Sequence, residues 1–246
     1  MSRYNYNKNY FDSIDTPEKA YWFGFLCADG CITRFYKGDA LRSMSVELTL
    51  TGSDTEHLQK YLDALEANVP IQHRTVRLKS AEKEYAADRV VVNNTYLCRS
   101  LIRHGCTPAK SQTLQFPSPS DVPREFISHF MRGYFDGDGT FFQKRYGQQL
   151  STVWALCGTG AFLTEYARLL QEHGIHIASE PKPEGRGEKM YELRIHGREN
   201  IRHLFDFLYA GSTDAIRLSR KYEQVMCADF SHPANTPHQA KNVRPA

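Results

Sequence analysis

One feature constrains this chain more than any other: a nine-residue pattern occurs twice. Residues 22–30 read WFGFLCADG and residues 131–139 read MRGYFDGDG. Both follow one scheme: apolar, any, Gly, aromatic, apolar, any, small, Asp, Gly. The two Asp residues, Asp29 and Asp138, lie 109 positions apart. A repeat at that separation points to a fold built from two similar halves. Each copy has a helix-start signal upstream. Thr16 and Pro17 suit the cap and first position of one helix, and Ser120 or Asp121 suits the cap of the other, with Pro123 in its first turn. Each copy closes on Gly, a common helix stop. Both are predicted to be the last turns of helices.

Period-two alternation follows each motif, in residues 44–50 and 75–79 of the first half and 191–196 of the second. Helical stretches lie at 55–66, 95–104, 164–173 and 199–209. The predicted order in each half is helix, strand pair, helix, strand pair, helix. That makes the chain α+β, with an N-terminal half at 1–117, a C-terminal half at 118–228 and a loose tail at 229–246. The joint at 115–123 is rich in Pro and Ser.

Gly24 and Ala28 are four apart, as are Gly133 and Gly137, so each predicted helix carries a stripe of small residues on one face. Glycine inside a helix costs about 1 kcal/mol relative to alanine. Repetition of that cost suggests that the two helices pack on each other about a pseudo-two-fold axis. Packing of each stripe on its own sheet is the alternative. Asp29 and Asp138 would stand at the negative ends of two helix dipoles, close to one another. A divalent cation offsets both sources of repulsion, and carboxylates, carbonyls and water suit Mg²⁺. Such an arrangement suggests metal-assisted phosphodiester hydrolysis. Exposed helix-end residues, each turning with the following Gly, are the plainer reading.

Composition narrows the class without naming it. Hydrophobic residues are 41% and charged residues 24%, which excludes a disordered or collagen-like chain. No apolar run is long enough for a transmembrane helix, and the first residues lack an export signal. A soluble, intracellular protein, cytoplasmic or organellar, is expected. The six cysteines show no CxxC pair or zinc spacing, and His173 with His176 fits a helix end better than a metal pair. The net charge of +3 is spread over both halves, so a nucleic-acid face would need local concentration of Lys and Arg.

With these residues in hand, the chain resembles the LAGLIDADG homing endonucleases in their two-motif, single-chain form. The resemblance covers about residues 10–228 and is strongest over 12–30 (DSIDTPEKAYWFGFLCADG). Cys27 departs from the family pattern, and Gly137 replaces Ala, but neither change touches the penultimate acid. The resemblance implies two αββαββα halves, with motif helices at the centre and two antiparallel sheets forming a saddle over DNA. It implies Mg-dependent cleavage of both strands across the minor groove, with two or more divalent ions. Asp29 and Asp138 become the metal-binding acids, and the carbonyls of Ala28 and Gly137 further ligands. Many members carry a basic residue near the end of each half. Lys110 and Lys221 match it, following their motif acids by 81 and 83 positions. A solvated surface lysine is the plain alternative. Ser53 and Thr159 are candidates for ordering water.

The strands supply candidate DNA contacts. Thr75, Arg77 and Lys79 share one side of a strand, and Glu192, Arg194 and His196 share one side of another. Thr33, Lys37, Thr140 and Lys144 lie on strands leaving the motifs. These sets fit a saddle or an ordinary solvent face. The halves differ at these positions, so a long, asymmetric double-stranded target is expected for a monomeric protein. An intron RNA maturase and a non-cleaving DNA-binding protein share the implied fold. The chain starts with Met and ends Arg-Pro-Ala, without the end residues of an intein, so a free-standing enzyme is expected.

Overall fold

The computed structural model describes residues 4–77, 84–147, 149–184 and 190–230. Helix α1 spans Pro17–Asp29, and Thr16 caps it, its hydroxyl accepting from the Lys19 N–H at 3.2 Å. Residues 20–27 of α1 are all buried, as expected for a helix surrounded by protein. Helix α4 spans Ile127–Asp138. Its start differs from the sequence expectation. Pro123 precedes a 3-10 turn at Arg124–Phe126, and no side chain caps α4. The Ser118 hydroxyl instead donates to Asp121 at 2.6 Å, closing a turn upstream.

The two motif helices pack against each other along their small residues. A Cβ on Gly24 would fall 2.1 Å from the Phe130 carbonyl oxygen, and one on Gly133 would fall 2.0 Å from that of Tyr21. A Cβ on Gly137 would meet that of Ala28 at 2.3 Å. These are backbone-to-backbone approaches that any larger residue would force apart. Gly30 and Gly139, which end the helices, have φ of −70° and −87°. They are therefore extended residues that open the next strand, not left-handed stops. Glycine is needed there because a Cβ would strike the last helical turn, at Leu26 and Phe135.

Strands β1 (Gly30–Lys37), β2 (Ala40–Thr51), β3 (Gln72–Arg77) and β4 (Glu84–Asn93) form an antiparallel sheet in the order β1-β2-β4-β3. Helices α2 (Thr55–Ala64) and α3 (Thr95–Arg103) cover one face. The second sheet repeats the plan with β5 (Gly139–Tyr146), β6 (Gln149–Gly158), β8 (Tyr191–His196) and β7 (Lys182–Pro183). Helices α5 (Gly160–Glu172) and α6 (Arg198–Tyr209) cover it. The core faces hold Val46, Leu48 and Val90 in one half, and Trp154, Leu156 and Leu193 in the other. A seventh helix, α7 (Ser219–Met226), was not expected from sequence and carries Lys221.

The joint between halves is anchored. Phe116 packs its ring on Phe130, Phe162 and Tyr166. The start of the expected tail is also fixed: Asp229 exchanges two 2.9 Å hydrogen bonds with Gln143, and Phe230 stacks on Phe141. Residues 231–246 lie outside the described residues.

Candidate acid pair and nucleic-acid interface

The ends of α1 and α4 bring Asp29 and Asp138 to one mouth. A Cβ on Gly137 would stand 3.3 Å from Asp29 Oδ2, so the Asp29 carboxylate lies over the last turn of α4. Both acids reach solvent, yet protein atoms crowd around them. That crowding, then the nearby Asp138 charge, pushes the Asp29 carboxyl up to about 6. Crowding also raises Asp138, while Lys110, Lys221 and the neighbouring Tyr134 hydroxyl, which donates to the Cys157 carbonyl at 3.1 Å, pull it down. The position matching Tyr134 in the first motif is Phe25, which has no hydroxyl.

Lys110 and Lys221 are buried, not solvated surface lysines. Lys110 opens a 3-10 turn, just after Ala109 in the left-handed region (φ 55°), a conformation costing about 1 kcal/mol outside glycine. Its ammonium donates to the carbonyl of Ala28 at 3.2 Å and to that of Gly30. The Lys221 ammonium donates to the carbonyls of Phe135 (2.7 Å), Gly137 (3.4 Å) and Gly139 (2.5 Å). Each lysine thus covers the negative end of its own motif helix. Burial brings the Lys221 ammonium down to about 8 against the pull of Asp136, Asp29 and Asp138. All three of its N–H donors have carbonyl acceptors, so it presents charge, not a free proton, to the mouth.

The donors at the mouth suit a hard cation. Two carboxylates repel each other and are partly stripped of water, which a divalent ion would relieve. No cluster of three His, Cys, Asp or Glu side chains stands ready to hold a metal among the described residues. The acids would therefore need carbonyl, water or phosphate oxygens to complete a shell. The Ala28 and Gly137 carbonyls each accept from a lysine and keep a second lone pair for that purpose.

A buried network lies beside the pair. Asp136, at the position of Cys27 in the first motif, accepts from the hydroxyls of Tyr21 (2.8 Å) and Tyr209 (3.0 Å) and from the Leu218 N–H (2.8 Å). Arg132 is fully buried and donates to the carbonyls of Leu208 (2.7 Å) and Ile216 (2.9 Å). Tyr21 spends its one proton on Asp136, so its 3.0 Å contact with His57 Nε2 requires the imidazole to donate. Burial holds that imidazole neutral, with a pKa down to about 3. The only hint in the sequence was acidic and basic residues inside a helix otherwise apolar.

Strand register decides which candidates face away from the helices. Paired residues share a face. Thr33 pairs with Ser45, on the side opposite buried Ile32. Lys37 is exposed at the hairpin end. In the second half Thr140, Lys144, Glu192, Arg194 and His196 all fall on the open face, opposite Phe141, Leu193 and Ile195. The expectation for β3 is corrected. His73 bonds Asp88, which in turn accepts from Thr55 on the α2 side. Thr75 and the Arg77 position share that helix side, and the open face carries Gln72, Arg74 and Val76 instead. Alternation separates two faces but cannot say which one the helices cover. Lys79 lies outside the described residues.

Each open face also holds an acid-backed arginine. Arg89 Nε lies 3.2 Å from Glu47 in the first half, and Arg194 Nε 2.5 Å from Glu192 in the second. Exposed aromatics accompany them: Phe35 and Tyr85, and Phe142 and Tyr146. Thr159 is not placed to order water. It is buried, caps α5 by accepting from the Phe162 N–H, and donates to the Leu114 carbonyl at 2.6 Å. Ser53 contacts Thr51 at 3.0 Å. His173 ends α5 and bonds the Leu169 carbonyl at 2.9 Å, and none of the six cysteines is in a disulfide. No helix among the described residues is long and apolar enough to cross a membrane.

Comparisons with known proteins fit this geometry. Residues 125–208 match the LAGLIDADG-like domain family. The meganuclease I-SmaMI bound to uncleaveable DNA superposes with a TM-score of 0.57 and 12% identity, over 86% of this chain and 88% of that one. The LAGLIDADG homing endonuclease I-GzeII in complex with its DNA target gives 0.55 and 12%, over 86% and 87%. I-SmaMI bound to cleaved DNA gives 0.53 and 14%, over 87% of each chain. Among curated proteins, none matches this sequence. The chain carries a LAGLIDADG-like domain in its second half and has, over both halves, the single-chain fold of the LAGLIDADG homing endonucleases.

Proposed function

We propose that this protein is a site-specific DNA endonuclease that makes a double-strand break by Mg-dependent hydrolysis, acting as a monomer on a long asymmetric site. The observation that carries the reading is the paired mouth: two acids, each at the end of a glycine-packed helix and each backed by a buried lysine. That pairing gives one acid and one lysine to each of two strands.

Asp29 and Asp138 would hold the divalent ions, with the Ala28 and Gly137 carbonyls as additional oxygen donors. A bound Mg²⁺ supplies positive charge at the scissile phosphate and makes a bound water more acidic. Lys110 and Lys221 add fixed positive charge beside the phosphorane that forms. Water adds to phosphorus, the bond to a sugar oxygen breaks, and the proton lost by water is balanced by one gained at that oxygen. Lys110 has one N–H without a protein acceptor among the described residues, so it is the better placed of the two to orient water. The open faces run outward from the mouth, because β1 and β5 begin at Gly30 and Gly139. Their differing side chains favour a target without a true palindrome. Arg89 and Arg194, each held by a glutamate, suit bidentate contact with guanine in the major groove.

Cleavage of a randomised duplex library with Mg²⁺, beside the Asp29→Asn/Asp138→Asn double variant, tests the reading. Ends recovered at one long site and lost in the variant are expected. Specific binding without cutting would make it a DNA-binding protein. Neither binding nor cutting of DNA, with binding to a host intron RNA, would make it a maturase.

A further inference from the structure

Each lysine segment is docked on the second helix of the opposite half. Arg220, next to Lys221 on α7, donates to both oxygens of Asp54 at 3.0 and 3.1 Å. Asp54 belongs to the first half and precedes α2 at the cap position, where Asp normally accepts the helix's own N–H groups. It makes no such bond. Its carboxylate is buried and turned instead toward Arg220. Lys60, one and a half turns further along α2, bonds the Ser219 hydroxyl at 2.9 Å and Asp214 at 3.1 Å. The other half repeats the plan with different chemistry. Thr159, capping α5 of the second half, donates to the carbonyl of Leu114. The Leu114 N–H closes back on the Lys110 carbonyl at 2.8 Å.

We propose that Asp54 is a positioning residue for Lys221: the first half, through the Asp54–Arg220 pair, sets the lysine of the second half. The two cutting centres are therefore not assembled independently. The inference rests on the endonuclease reading for its kinetic consequence, but not for its geometric one. An uncompensated Arg220 on α7 would leave the N-terminal end of the helix held only by the Leu218–Asp136 and Lys60–Ser219 bonds, and the ammonium would lose its fixed place over the Gly137 and Gly139 carbonyls.

Single-turnover cutting of each strand, on end-labelled duplex at saturating protein, tests the kinetic arm. Asp54→Ala should slow one strand about tenfold and leave the other nearly unchanged, so that nicked duplex accumulates. Lys221→Ala should bias the same strand. Arg220→Ala should match Asp54→Ala, and the double variant should lose no more than either single one. Asp54→Asn, which keeps a neutral bond to Arg220, should fall between. Equal slowing of both strands, or additive losses, would overturn the proposal. The geometric arm is amine acylation of DNA-free protein read by mass spectrometry: Asp54→Ala should speed labelling of Lys221 severalfold while Lys110 is unaffected. Unchanged Lys221 labelling in a folded variant would also overturn it. If the native protein cuts no duplex, the endonuclease reading fails and labelling alone decides whether Asp54 positions Lys221.

Discussion

The two halves agree at the mouth and disagree just behind it. Both present an Asp at a helix end, a buried Lys over the same helix, and a Gly (Gly24, Gly133) where the helix backbones meet. Behind these, the first half is apolar: Cys27, Phe23 and Phe25 stand where the second has Asp136, Arg132 and Tyr134. Lys110 sits on a strained 3-10 turn, whereas Lys221 sits on a helix. The groups with a direct electrostatic task are duplicated, but their supports are free to differ. A support only has to hold an atom in place, and apolar packing or a satisfied polar network does that equally well.

Removing either shared acid should have the largest effect. Asp29→Asn or Asp138→Asn should lower double-strand cleavage by about 10³-fold or more, with DNA affinity largely kept, because a charge stabilising the reaction is lost. A variant cutting at the native rate would take that acid out of the mechanism.

The helix seam should come next. Gly24→Ala or Gly133→Ala puts a methyl within about 2 Å of a backbone oxygen, at a cost of roughly 3 kcal/mol by denaturant unfolding. Gly38→Ala is the contrast: its φ is +59° with open space around it, so only about 1 kcal/mol of backbone strain is expected. Equal losses at the two sites would argue against the seam.

Swapping the supports sharpens the comparison directly. Asp136→Ala strands two tyrosine hydroxyls and the Leu218 N–H, removes the carboxylate charge near Arg132, and should cost about 3 kcal/mol. Cys27→Ala at the matching position only removes a sulfur and should cost about 1 kcal/mol. Similar values would mean that the polar network adds no particular stability.

The smallest effect is a pH dependence. The folded Asp29 carboxyl is pushed up to about 6 from its ordinary 3.8. Between those values the folded protein binds more protons than the unfolded one, so this group makes stability fall as pH rises through the window. Asp29→Asn should therefore raise the Tm at pH 7, and the difference should vanish below about pH 3.8. Adding Mg²⁺ to the native protein at pH 7 should raise its Tm in the same sense. A destabilised Asp29→Asn at pH 7 would show that the acid has stabilising partners in the free protein.

The doubled motif, its spacing and the alternation of residues 44–50 and 191–196 determined by themselves the pseudo-two-fold α+β plan and the two acids to look for, and the resemblance built on that motif pointed to the lysines. Those signals are local, because apolar periodicity and small-residue stripes record which face of an element must be buried. Only the tertiary structure decided the rest. Thr75 and the Arg77 position lie on the helix side of β3 because Asp88 ties His73 and Thr55 together across elements far apart in sequence. Asp136, inside an apolar helix, found its donors at residues 21, 209 and 218, and Asp54 gave up its own helix for Arg220. A partner distant in sequence leaves no periodic trace near the residue it satisfies, so hydrogen-bond partners of this kind become legible only when the chain is folded.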